Sequence, residues 1–269
     1  MNQPLPIEAL LPSLAGGGRV KTAVRHGMEI LLGVRGVRRL VERAEQEAEV
    51  HASSRILAAH RVRLAAPGVR EALPPSGPVI VIANHPFGAS DALALLSLCQ
   101  QARPDVQFLA NAILTTIPSL APHLIPLEIL AAAEPRRNLA SLRQSLGHLK
   151  KGGMLGIFPA GAVSCFQWRE RQVTDPAWSH HVAALALKSG AIVVPVRFAG
   201  RNPWWFQLPG MIHPLLRSAL LLPAFLAGRG QTVHCAAGPP IPPEDLSGMD
   251  PMEATLHLRA AVGAVPLPP

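Results

Sequence analysis

No tyrosine occurs in the 269 residues, and aromatic residues together make up only 4%. Proteins that hold single-stranded nucleic acid stack bases on aromatic platforms, which are scarce here. No zinc-finger, RNP or basic-zipper pattern occurs either. Cysteine is nearly as rare. Cys99, Cys165 and Cys235 are odd in number and far apart, which argues against a disulfide framework or a Cys-based zinc site. Charged residues reach only 16%, but 49% hydrophobic residues exclude intrinsic disorder as the main state. No apolar run is long enough to span a bilayer, and the greasiest stretch, Leu215 to Ala227, is interrupted by Arg217 and Pro223. The opening MNQPLPIEALLPSLAGGG has no basic start ahead of its apolar part, so it reads poorly as a signal peptide. A cytoplasmic chain, able to lie on a membrane, is the expectation.

What is present is a basic surface and room for a proper core. Lys and Arg number 25 against 17 Asp and Glu, a net charge of +8. Such a balance attracts nucleic acid and anionic lipid alike. The length suits one large α/β domain or two small ones. Residues 1–18 read as an irregular leader closed by Gly16-Gly17-Gly18. From Arg19 to about Ser53 the pattern predicts a helix, with Ile30, Val34, Val37, Val41, Ala44 and Ala48 on one stripe. Within it, Arg19, Lys21, Arg25, Arg35, Arg38, Arg39 and Arg43 outnumber Glu29 and Glu42. That face is either solvated or a cationic surface for lipid headgroups. The expected organisation is therefore leader 1–18, helical docking segment 19–66 and α/β domain 67–269.

The remainder alternates strand and helix. Strands are predicted at Val79 to Ile82, Val106 to Ala110, His123 to Leu127, Met154 to Phe158, Ile192 to Phe198 and Thr232 to Ala236. Helices are predicted from Ser90 or Asp91 onward, over Arg136 to Lys151, Trp178 to Ser189 and Met252 to Ala264. Leu139, Leu142, Leu146 and Leu149 form the expected core stripe of the second, and Gly152-Gly153 stops it. The fold class is α/β, with a central, mostly parallel sheet flanked by helices.

Two clusters carry chemistry. In Asn84-His85-Pro86-Phe87-Gly88-Ala89-Ser90-Asp91 a histidine follows a buried strand, where open α/β sheets place ligands. A carboxylate comes six residues later, at a helix start. An imidazole oriented by a carboxylate is a general base, although a loop histidine beside a capping aspartate has the same spelling. The second cluster, Ile157-Phe158-Pro159-Ala160-Gly161-Ala162-Val163-Ser164, could turn backbone N–H groups toward an oxyanion. Its spacing is wrong for the Gly-x-Ser-x-Gly elbow of serine hydrolases, and no phosphate-binding P-loop occurs.

In this order, NHPFGASD, FPAGAVS and VPVRFAGRN resemble the PlsC-type glycerolipid acyltransferase superfamily, and most closely its bacterial hemolysin-like lysophospholipid acyltransferase branch. The resemblance runs from about Gly77 to Leu246. It implies that His85 deprotonates an acceptor hydroxyl and that Asp91 orients His85. It implies substrate-site roles for Asn84, Gly88, Phe158, Pro159, Gly161 and Pro195. Arg136, Arg137 and Arg201 are candidates for binding a phosphate or carboxylate, since a guanidinium grips such anions with two parallel bonds. The third block departs from the family, because Ala160 and Ala162 stand where a carboxylate is usual, and this weakens the case for a glycerol-3-phosphate-like headgroup.

The implied activity moves a fatty acyl chain from acyl-CoA or acyl-ACP to the hydroxyl of a lysophospholipid or lyso-aminolipid. It needs no metal and no bound cofactor, with the acyl thioester as co-substrate. The partner is membrane lipid rather than nucleic acid, on the cytoplasmic face of a bacterial inner membrane. Trp204, Trp205 and Phe206 would suit the interfacial zone. The alternatives are a catalytically inactive lipid-binding protein of the same fold, a thioesterase sharing the His–Asp pair, and a basic nucleic-acid-binding protein.

Overall fold

The computed structural model describes residues 26–127, 137–212 and 214–267. The expected leader, 1–18, and the start of the N-terminal helix lie outside the described residues. Seven strands form one sheet: β1 (Arg63–Ala65), β2 (Val79–Ala83), β3 (Val106–Asn111), β4 (Leu124–Leu127), β5 (Met154–Ile157), β8 (Ile192–Phe198) and β9 (Thr232–Ala237). Their spatial order is β1-β9-β8-β2-β5-β3-β4. All neighbouring pairs are parallel except β8 with β9, which pair antiparallel from Val196↔Ala237 to Phe198↔Cys235. Two further strands, β6 (Cys165–Gln167) and β7 (Gln172–Thr174), make a separate antiparallel hairpin.

Central β2 has side chains that alternate between two cores, as its unbroken β-branched run requires. Val79, Val81 and Ala83 face a layer built from α1 (Val34–Ala44), α2 (Ala52–Ala59), α3 (Ala89–Ala102) and α8 (Leu221–Ala227). Ile80 and Ile82 face α4 (Arg137–Lys150), α5 (His181–Ser189) and α9 (Pro251–Ala264). Between β8 and β9 the chain inserts α6 (Trp204–Ile212), α7 (Pro214–Ala219) and α8.

The topology places the site. From β2 the chain crosses to β3, skipping a position that β5 later fills, and from β5 it crosses back over β2 to β8. The strand order therefore reverses around β2 and β5. A crevice opens at the carboxyl ends of such strands, which is where Asn84-His85 and Phe158-Pro159 sit.

Three expectations are corrected. The long N-terminal helix is interrupted, because Gly33 adopts the left-handed φ of 73° and α1 ends at Ala44. A Cβ on Gly33 would stand 3.1 Å from the Pro223 backbone nitrogen, and one on Gly36 would overlap the Leu226 side chain. Glycine at both places lets α8 pack closely against this segment. Val34, Val37 and Ala44 of the predicted stripe are buried, but Ile30 is 63% exposed and Ala48 is exposed beyond the helix end. In α4, Leu149 is buried while Leu139 is 42% exposed, since the stripe slides off the sheet toward the helix start. The helix expected from Trp178 begins at His181; Trp178 instead turns its indole N–H to Asp175.

Candidate active site

His85 is the second residue past the end of β2, and its backbone is held on both sides. Its N–H donates to Asp175 Oδ1 at 3.1 Å, and its carbonyl accepts from the Ser164 N–H at 2.8 Å. The preceding Asn84 uses both ends of its amide on the Phe198 backbone, donating at 3.0 Å and accepting at 2.7 Å. That pair of bonds clips the loop to β8. Asn84 therefore positions His85, and its amide is already engaged in the fold.

Asp91 lies in the first turn of α3 and is fully buried. Its carboxylate accepts from the N–H groups of Phe87 and Ala92, both at 2.8 Å. Gly88 makes the turn between them, with φ 90° and ψ −102°, a conformation open essentially to glycine alone. His85 Nδ1 stands 3.1 Å from Asp91 Oδ1, at ion-pair distance but off the line of a straight hydrogen bond. Burial of the ring pushes the His85 pKa down. The charge of Asp91, its contact with Nδ1 and the charge of Asp175 outweigh burial and leave the pKa raised above the ordinary value. With Nδ1 turned to Asp91, Nε2 is the nitrogen left to exchange a proton with a substrate.

Phe158, just past β5, stacks on the imidazole with ring centroids 4.1 Å apart and 27° between planes. Pro159 is buried, and its carbonyl accepts from the Ser179 N–H at 3.0 Å. Gly161 turns the chain with φ 62°, its N–H bonded to the Phe158 carbonyl. Pro195 lies buried inside β8 opposite Ile82, so it supports the sheet beneath the loop.

The cationic candidates are spread out. Arg201 is exposed on the rim of a cleft of about 250 Å³, lined also by Phe87, Ser90, Asn202 and Trp205 and not by His85. Arg137 opens α4 at the carboxyl end of the sheet, the same end as His85. Its side chain and Arg136 lie outside the described residues.

Asp175 carries no assignment from sequence and proves central. It is buried, and besides the His85 N–H it accepts from the Ser164 hydroxyl and, at 3.0 Å, from the Trp178 indole. Asn202, quoted above only as part of a block, donates to the Pro86 carbonyl at 3.1 Å and holds the far side of the loop. An Asp ahead of Pro176 and Trp178 is all the sequence offers, and no spacing rule connects it to a histidine ninety residues earlier.

The arrangement is an imidazole with one free nitrogen, a buried carboxylate on the other and an aromatic lid, at a crevice between parallel strands. The Acyltransferase family model matches residues 68–199, which contain every one of these groups except Arg201 and Asn202. The chain carries an acyltransferase-family domain. This acyltransferase domain has two curated bacterial relatives called lyso-glycine lipid O-acyltransferase. The one from Phocaeicola vulgatus is 27% identical over 64% of this chain and 62% of its own length. The one from Bacteroides thetaiotaomicron is 26% identical over 64% of each. The chain thus aligns with somewhat less than two thirds of these relatives. In fold, the acyltransferase domain and its flanking helices are similar to the crystal structure of the 1-acyl-sn-glycerophosphate acyltransferase PlsC from Thermotoga maritima. The TM-score is 0.52 at 18% identity, over 84% of this chain and 76% of that one.

Proposed function

We propose that this protein is an O-acyltransferase that moves a fatty acyl chain from a thioester, acyl-CoA or acyl-ACP, to the hydroxyl of a lysolipid. The observation that carries the reading is His85, held by Asp91 and Phe158 with Nε2 free, inside an acyltransferase-family domain. In the reaction Nε2 takes the proton of the acceptor hydroxyl as its oxygen bonds to the thioester carbonyl carbon. The tetrahedral intermediate then expels the thiolate, which receives the proton back from the imidazolium. Ester and free thiol are the products, with no acyl-enzyme, metal or bound cofactor in the sequence of steps. Asp91 stabilises the imidazolium while it exists.

Two observations favour a lyso-aminolipid over a lysophosphatidic acid as acceptor. Ala160 and Ala162 remove the polar grip of the third block, and both curated relatives are called lyso-glycine lipid O-acyltransferases. Arg201 and the start of α4 supply candidate cations for an acceptor carboxylate. Since such acceptors live in bilayers, the enzyme works at a membrane surface, on the cytoplasmic side where its thioester donors are made. None of the described helices is long and apolar enough to cross a membrane.

The test offers labelled acyl-CoA and acyl-ACP with lyso-aminolipids and lysophospholipids in turn, reading products by mass spectrometry. A diacylated aminolipid is the expected product. Lipid binding without transfer from either donor would favour the inactive reading, with Ala160 and Ala162 as its cause. Free fatty acid formed equally with and without acceptor would identify a thioesterase.

A further inference from the structure

Trp204, Leu208 and Ile212 follow one another at helical spacing along α6, and they are 73%, 50% and 81% exposed. The opposite side of α6 is anchored, since Phe206 is fully buried against Val163 and Ala224. A short helix with one apolar row in the core and another in solvent has an unpartnered face. Beside it, α6 packs against β6. The tip of the β6–β7 hairpin presents Trp168, 70% exposed, with Arg169, Glu170 and Arg171 exposed around it.

Charge says what these faces meet. Between Asp175 and Glu244 there is no acidic residue, while Arg201 precedes α6 and the Arg217 side chain packs against its Gly210. The segments flanking α6 are therefore apolar and cationic, and at the hairpin tip two arginines outweigh Glu170. Tryptophan with arginine is the composition of an interface between water and lipid headgroups.

We propose that the exposed row of α6 and the Trp168 tip together form a docking surface for an anionic bilayer, and that this surface sets the height of His85 above the lipid. The link to His85 is short and made of hydrogen bonds. Ser164 precedes β6 and Asp175 follows β7, so both ends of the hairpin are fastened to the His85 backbone. The acceptor delivered there is a lysolipid only if the acyl-transfer reading holds; bilayer docking itself does not depend on it.

The test compares the wild-type chain with a Trp168→Ala/Trp204→Ala double variant. Sedimentation uses phosphatidylcholine vesicles with and without phosphatidylglycerol. Wild type should bind the anionic vesicles, and vesicles with brominated acyl chains should quench its exposed tryptophans. The double variant should bind at least about tenfold more weakly. Its transfer to vesicle-embedded acceptor should fall in proportion, with transfer to a short-chain acceptor dispersed in water unchanged. Docking by the variant equal to wild type would overturn the proposal. So would the same loss of transfer with the dispersed acceptor, or a change of oligomeric state with vesicle binding intact, which would assign the row to a second copy of the chain. Vesicle binding that needs the tryptophans, in a wild type that transfers nothing to any acceptor, would uphold the docking surface and sink the acyl-transfer reading alone.

Discussion

Asp91 meets the His85 ring and Asp175 meets its backbone, so the two carboxylates make separable contributions. A general base acts in its neutral form, and the raised pKa of His85 places the acid limb of the rate profile above the ordinary value of about 6.5. Protonated His85 correspondingly stabilises the folded chain below that ordinary value, and this contribution is lost as the pH rises through the raised one. Asp91→Asn removes the main upward influence and leaves burial opposed only by the charge of Asp175. The limb should then move to lower pH while the plateau rate falls by about 10²-fold, as a pH series of initial rates would show; an unmoved limb would mean that another group titrates. Asp175→Ala strands the His85 N–H, the Ser164 hydroxyl and the Trp178 indole. It should lower stability by at least about 2 kcal/mol in urea melts, because unpaired buried donors cost about 1–3 kcal/mol each, and should lower transfer as well. The His85–Asp91 pair was legible because six residues of one turn hold both. Asp175 was not, because its contact is made only when the β6–β7 hairpin returns the chain to the β2 end.

Elements whose signal is local were readable and those formed by packing were not. The apolar run of β2 and the Gly152-Gly153 stop of α4 announce themselves, and β8 spans the predicted Ile192 to Phe198. Three-residue β1 and the β6–β7 hairpin have no periodicity to detect. The Leu215–Ala227 stretch read only as grease, yet it folds into α7 and α8 across Pro214 and Pro223, and α8 covers α1 and α3. The N-terminal stripe ran through Gly33 in sequence, where the structure breaks it to admit α8. Gly88 tests how far one turn governs the site. A Cβ there would meet Val163 Cγ2 at 3.1 Å in a backbone conformation that L side chains rarely adopt. Gly88→Ala should therefore cost about 1–3 kcal/mol of stability and reduce transfer more than a stability-matched core substitution does. Equal losses in the two variants would show that the turn only supports the fold.

Across the whole molecule, the two ends of the sheet have different duties. At the amino ends of the strands, buried Arg103 pairs with both oxygens of Asp105 and donates to the Gly77 and Gly152 carbonyls. This knot ties the loop before β2 to the turn before β5, far from His85. Arg103→Met leaves those carbonyls without their donor and should lower stability by about 2–4 kcal/mol with the rate per folded molecule unchanged, as denaturant titration beside the transfer assay would reveal. The carboxyl ends hold the chemistry, where β2 and β5 deliver His85 and Phe158 to one crevice and the α6–α8 insertion brings its apolar face alongside. The α/β class and the position of that crevice followed from alternation and three short blocks. The sheet order and the antiparallel β9 did not, since pairing across the molecule leaves no local mark. The most direct test of the account is acyl transfer by the His85→Ala variant, with circular dichroism to establish that it folds. We predict that transfer from labelled thioester to lysolipid falls by about 10²–10⁴-fold while folding is unchanged. Transfer at the wild-type rate in a folded His85→Ala protein would contradict it.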